Sequence, residues 1–168
     1  LGAQREYYAA VRQARAAGAL VDEADALFNL GILRLRAGDL ARGAPLMRGA
    51  AETYRRLRRT EKVLGATRTL AIAEMLQGHF VTADTLLEST MRELGNRADP
   101  ATRGRLLAQQ ARVRVLMRRY GEARTLARAA LVLADSALVA ERCEIVTSVA
   151  LVYDHSGSPD SAVAILHE

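Results

Sequence analysis

The feature that most restricts this chain is a register of small residues recurring at nearly constant spacing. Ala3, Gly43, Ala83, Ala123 and Ala162 keep a period of forty positions, the last interval being one shorter. Leu40, Phe80, Tyr120 and Pro159 stand three places before the small position. Gly38, Gly78 and Gly157 come two before those, with Arg118 replacing glycine in the third copy. Tyr7, Met47, Leu87, Ala127 and Leu166 follow it by four, and Ala10, Ala50, Thr90 and Ala130 by seven. A second register precedes each turn: Leu30-Gly31, Leu70-Ala71, Gln110-Ala111 and Val149-Ala150, three places after Leu27, Thr67, Leu107 and Val146. Offsets of three, four and seven place such residues on one helix face, and a large residue beside a small one marks a face that another helix approaches closely.

Each copy therefore reads as two helices joined by a tight turn, in which glycine supplies the left-handed conformation that ends the first helix. One hairpin cannot bury both its faces, whereas stacked hairpins can. The pattern predicts helices at about 2–17, 22–37, 40–58, 61–77, 80–95, 100–118, 121–134, 137–155 and 159–168, with Gly18 and Gly95-Asn96 in turns between units. Asp22, Thr60, Asp99 and Ser158 are the expected N-caps, the last two preceding Pro100 and Pro159 at first helical positions. The fold class is all-α: a right-handed α-solenoid of antiparallel helical hairpins, about nine helices long. We read 1–168 as one repeat domain, with a partial unit at 1–20 and units at 21–60, 61–98, 99–136 and 137–168. A start at Leu1 and an end at Glu168, both within helical pattern, suggest a piece of a longer protein.

Composition agrees with helices: Ala, Leu and Arg dominate, aromatics are 4%, and β-branched residues never alternate along a run. The net charge is +5, which raises nucleic-acid binding. Of 24 basic residues, however, all but Lys62 are arginine, as a GC-rich genome would write. They are interleaved with 19 acids instead of gathered in one patch. Cys143, the one cysteine, cannot form an internal disulfide and is expected in the core. No apolar run nears the roughly 20 residues that span a bilayer. Localisation is read as cytoplasmic.

The cleanest copy, Leu27, Leu30, Gly31, Gly38, Leu40, Gly43, Met47 and Ala50, resembles the tetratricopeptide (TPR) repeat in residue type and order. The resemblance covers the whole chain. It departs in the 40-residue period, where the family's usual repeat is 34, in lacking tryptophan throughout, and in lacking the proline that ends the second helix. Such lengthened repeats resemble those of bacterial LuxR-type and related multidomain (STAND) regulators. What the resemblance implies is a protein–protein interaction scaffold or sensor module, not an enzyme, with no cofactor and no metal. First helices would line a concave groove. Phe28, Ile32, Arg36, Arg68, Ile72, Met75, Arg105 and Arg112 would face a partner there, with Asp25, Leu35, Ala108, Val115, Glu144, Thr147, Leu151 and Asp154 beside them. Arginine forks suit carboxylates and the apolar residues could seat an anchor, so an acidic and apolar peptide or helix is the expected partner. The alternatives are a self-association module, since arrays need polar caps, and a nucleic-acid-binding repeat.

Several conspicuous residues carry plainer readings. Asp22-Glu23-Ala24-Asp25 spells a helicase-like box, but no GxxxxGK[ST] accompanies it, and an acidic first turn explains it. His79 and His155 sit beside turns, and neither they nor His167 have metal-ligand spacing. Arg55-Arg56, Arg58-Arg59 and Arg118-Arg119 fall near helix C-termini, where cations meet the negative dipole end. Tyr7-Tyr8 and Tyr54 are expected to pack between units.

Overall fold

The computed structural model describes residues 2–135 and 137–167; the expected unit bounds at Leu1, Ser136 and Glu168 lie outside them. The elements run α1 (Gly2–Ala16), α2 (Leu20–Arg36), α3 (Leu40–Arg56), α4 (Thr60–Leu76), α5 (Phe80–Leu94), a 3-10 turn (Gly95–Arg97), α6 (Pro100–Leu116), α7 (Tyr120–Ala134), α8 (Val139–His155) and α9 (Pro159–His167). No strand occurs among the described residues, and the chain is an all-α helical repeat. Two compact bodies divide it, Leu1–Gly78 with α1–α4 and His79–Glu168 with α5–α9. The division falls at Gly78, inside the 61–98 repeat unit.

The turns recur twice per unit. Gly18, Gly38, Arg58, Gly78 and Arg118 have positive φ, as does Gly157, so left-handed residues close helices at steps of half a repeat or small multiples of it. At the first of the α2–α3 turn positions the Gly38 N–H bonds the Leu35 carbonyl and the Asp39 N–H the Arg34 carbonyl, 2.9 Å each. The same double closure forms around Gly18, Arg58, Arg118 and Gly157, which satisfies carbonyls the helix end leaves open. Arg118 thus breaks the glycine pattern in sequence without breaking the turn in space.

Caps correct part of the expectation. Asp99 caps α6 through the Thr102 N–H (2.9 Å), an interaction that holds its carboxyl below the usual pKa. Asp22 and Thr60 do not cap: α2 starts at Leu20 behind Ala19, and α4 at Thr60 behind Arg59. Left-handed closure at Gly18 and Arg58 feeds the next helix at once, so those residues sit inside it; Asp22 and Glu23 meet the dipole from the first turn instead. Asp39 caps α3, accepting from the Arg42 N–H.

Burial follows the two registers. Gly43, Ala83 and Ala123 are buried, together with Met47, Leu87 and Ala127 and with Ala50, Thr90 and Ala130. Ala3 and Ala10 are exposed, because no described helix packs on that side of α1. Ala162 is buried but Leu166 is 57% exposed. Gly31 and Gly43 mark the closest approach of α2 and α3: a Cβ on Gly43 would sit 3.0 Å from the Gly31 carbonyl oxygen.

A polar register that the small-residue pattern does not reveal links each second helix to the following first helix. Arg34 Nη2 donates to the Tyr8 hydroxyl (3.2 Å), Arg48 Nη2 to Glu74 (2.9 Å) and Arg128 Nε to the Tyr153 hydroxyl (3.3 Å). These pairs are 26, 26 and 25 residues apart and recur with the repeat. In the remaining copy the contact moves one turn earlier. Asp84 there accepts from Gln110 (3.2 Å) and Arg114 (2.7 Å), and all three are largely buried.

Candidate functional site

Faces of the first helices are the candidate site, and each body is taken by itself. In the first, the sole lysine builds a cluster. α2 brings Asp25, Phe28 and Asn29, α3 brings Tyr54, and α4 brings Lys62 and Gly65; together they line an open cleft of about 260 Å³. The Tyr54 hydroxyl donates to Asp25 Oδ1 (2.6 Å). The Lys62 ammonium donates to the same oxygen (2.6 Å) and to Oδ2. It also stands 5.5 Å from the centroid of the Tyr54 ring, within cation–π range. Phe28 meets that ring edge-on, centroids 6.4 Å apart and planes at 72°.

The titration of the cluster follows from these contacts. Burial pushes the Asp25 carboxyl up, but the hydrogen bonds from Lys62 and Tyr54, with the charges of Lys62 and Arg59, outweigh it and hold the pKa below the ordinary value. Burial first, then the Asp25 hydrogen bond and charge, raises the Tyr54 phenol well above its usual range. The hydroxyl is therefore a fixed donor, and Asp25 a fixed carboxylate, at neutral pH.

Among the expected partner-facing residues of this body, Phe28 lines the cleft. Ile32, Arg68 and Met75 are half-buried, while Ile72 and Arg36 are exposed. Asp25, expected on open groove surface, is committed to Tyr54 and Lys62. Lys62 is not among the expected site residues, although its spacing from Asp25 was available as a signal. Asp25 and Lys62 are 37 residues apart and join first helix to next first helix. Arg105 and Glu141 occupy the equivalent places in the second body, with the charges reversed (3.3 Å).

In the second body Arg105 is thus answered by Glu141, and it also donates to the Thr102 hydroxyl (3.0 Å). Arg112 is half-buried on α6, and Leu151 and Asp154 are exposed on α8. Ala108, expected as groove surface, is buried because α8 packs over it. Cys143, expected in the core, is exposed: the buried face of α8 runs through Ile145, Val149 and Val152, and Cys143 points elsewhere. Tyr54 is buried as expected, whereas Tyr8 remains 43% exposed beside Arg34. His79 and His155 are exposed at the ends of helices, His155 Nδ1 lying 2.8 Å from the Leu151 carbonyl oxygen. Arg55 and Arg56 fill the last turn of α3, and Arg118 and Arg119 the turn after α6.

The fold has solved counterparts. A variant of a putative kinesin light chain from Podosopora anserina, described as having nearly identical TPR-like repeats, superposes with a TM-score of 0.68 at 17% identity, covering 97% of this chain and 91% of that one. The MamA protein superposes with a TM-score of 0.57 at 14% identity, covering 99% and 90%. At such identities the likeness is one of fold: this chain adopts the TPR-like helical-repeat architecture. No family model matches the sequence, and no curated protein does. No helix among the described residues is long and apolar enough to cross a membrane.

Proposed function

We propose that this chain is a protein–protein interaction module of a larger bacterial cytoplasmic regulator, holding an acidic and apolar peptide or partner helix against its first-helix faces. The observation that carries the reading is the cleft beside Phe28. It offers an aromatic wall, the exposed Asn29 amide and a charged pair that is already fixed, so a bound segment meets a preorganised surface. Ile72 on α4 supplies an exposed apolar contact in the same body, with Arg36 and Arg68 as cations on α2 and α4. In the second body α6 carries Arg105, already paired with Glu141, and the half-buried Arg112 at the place of Ile72. Fixed aromatic anchors ringed by polar groups are where interface energy concentrates.

An array of peptides mixing Asp and Glu with Leu, Ile and Phe tests this directly. Binding should be selective for such peptides. It should fall at least about tenfold in Phe28→Ala and in the double exchange Arg36→Glu, Arg68→Glu, with helicity by circular dichroism unchanged. Equal affinity for the variants, or no selection from the array, overturns the reading.

A further inference from the structure

α4 carries a glycine that neither its backbone nor its packing requires. Gly65 lies in mid-helix without positive φ, and a Cβ there would meet nothing within 4 Å. Inside a helix, glycine costs stability relative to alanine. Gly31, Gly43 and Gly104 differ, since a Cβ on each would meet Met47 Cγ at 2.5 Å, the Gly31 carbonyl oxygen at 3.0 Å and Ile145 Cδ1 at 2.9 Å. Gly49 and Gly121 are as unencumbered as Gly65, but both are exposed on second helices. Gly65 is half-buried and lines the cleft beside Phe28. The forty-residue register puts Asp25, Arg105 and Glu144 at its place on the other first helices. Of α2, α4, α6 and α8, α4 alone has no side chain there.

The cleft forms where α2 and α4 stand apart. These two helices touch only lightly, whereas α6 and α8 of the second body pack closely. Tyr54 is the wedge: Asp25 and Phe28 of α2 meet its hydroxyl and its ring, and Lys62 of α4 stands over the ring. Ala134 holds the equivalent place in the second body, and there α6 and α8 close around Ile145. The wedge leaves about 260 Å³ against the Gly65 backbone, with Phe28 as a wall and the exposed Asn29 amide beside it.

That space has a definite chemistry. A cavity of roughly 150 Å³ already takes up benzene, so this one accommodates an aromatic ring with a polar substituent. Asp25 and Lys62 answer one another, which leaves no lone charge to select an ion. Phe28 offers a ring for edge or offset contact. Asn29, unpaired among the described residues, offers an acceptor to a phenol hydroxyl or an indole N–H. An aliphatic side chain would use neither. We infer that the cleft takes a tyrosine or tryptophan side chain of the partner, and that Gly65 is the residue that admits it. This rests on the reading of the first-helix faces as the partner surface and names its anchor.

N-acetyl-tyrosinamide, N-acetyl-phenylalaninamide and N-acetyl-leucinamide are the probes, titrated into the isotope-labelled whole chain and followed by NMR at the Gly65 and Asn29 backbone amides. The tyrosine amide should bind about threefold or more tighter than the leucine amide. Asn29→Ala should erase its advantage over the phenylalanine amide. Gly65→Leu should abolish saturable binding. Gly65→Ala should weaken binding yet lower the unfolding constant in urea about fivefold, alanine being the better helix former. A glycine required by packing would lose stability on that exchange. The inference is overturned if the tyrosine amide does not bind the wild type, if Gly65→Leu binds it equally well, or if Gly65→Ala destabilises the fold. Array peptides that bind Gly65→Leu undiminished sink the inference alone. Amides that behave as expected while no array peptide binds sink the earlier reading alone.

Discussion

The α2–α3 and α6–α7 hairpins occupy the same repeat positions two units apart, yet they fill their interiors in opposite ways. The first brings its backbones together over Gly31 and Gly43 and puts bulk on α3, with Met47 and Tyr54 buried. The second has Ala111 and Ala123 at the close approach and only Ala127 and Ala134 on α7. Its bulk arrives from the following helix. Ala66 of α4 lies in the cluster of Tyr54, whereas its counterpart Ile145 of α8 lies in the cluster of Ala134. Large and small residues have changed sides of the interface. Gly104 records the exchange: it stands where the first hairpin has Ala24, and a Cβ there would meet Ile145 Cδ1 at 2.9 Å. The two hairpins thus carry their bulk on opposite sides of the contact with the following helix, and both contacts are buried.

The largest test of that contrast is Tyr54→Ala. Tyr54 is 2% exposed and its hydroxyl answers Asp25, so truncation should cost about 3–5 kcal/mol in denaturant unfolding. Ala134→Gly at the equivalent place should cost no more than about 1 kcal/mol, the helical penalty of glycine. Comparable losses at the two sites would show that the hairpins are not packed in opposite senses.

Next come the close approaches. Gly43→Ala should destabilise by about 1–3 kcal/mol, because the obstacle is the Gly31 carbonyl and neighbouring backbone, which cannot turn aside. Gly104→Ala should cost somewhat less, because the obstacle is the tip of a side chain. Adding Ile145→Val should recover part of that loss, and a double-mutant cycle reads the coupling. Strict additivity would sink the account of Gly104.

Arg118 and Gly38 offer a reciprocal exchange. Both close the first helix of their hairpin at positive φ, +59° and +77°. Arg118→Gly should raise stability by up to about 1 kcal/mol and Gly38→Arg lower it by a similar amount, the left-handed penalty offset in part by glycine's freedom when unfolded. A loss of stability in Arg118→Gly would mean that the arginine side chain matters more than its backbone.

What the sequence discloses and what it conceals divide along the same line. Small residues at the close approach recur in every copy and the turn glycine in all but the third, so Gly38, Gly43, Ala83 and Ala123 disclose the hairpins and nearly every helix boundary. Positions where volume or charge can be traded across an interface do not recur by type, and so they stay hidden. Asp25 reads as solvent-facing until Lys62, 37 residues on, is seen to pair with it. Arg105 reads as a free cation until Glu141 answers it. Cys143 sits close in sequence to a buried face, and composition alone could not choose its side. The expected groove residues are legible as first-helix positions, but which of them are already partnered depends on pairs that reverse sign between copies.

The smallest predicted effect addresses that reversal through pH. Asp25 has a folded pKa below its unfolded value of about 3.9, so its contribution is complete above that value and is lost as pH falls through the folded pKa. Tyr54 has the opposite shift: its contribution is complete below the unfolded value of about 10 and fades as pH rises toward the folded one. The stability difference between the wild type and Asp25→Asn should therefore be flat from about pH 5 to 9 and shrink at the acid end. Because Asp25 and Lys62 are each more than a third exposed, solvent screening limits the pair to less than about 1 kcal/mol. Tyr54→Phe should keep the acid limb and flatten the alkaline one. Salt discriminates further: about 1 M NaCl should weaken the Asp25 contribution while leaving the cost of Tyr54→Ala in place. An acid limb that survives unchanged in Asp25→Asn would assign it to other carboxylates, with the Asp99 cap of α6 in the second body the first to examine.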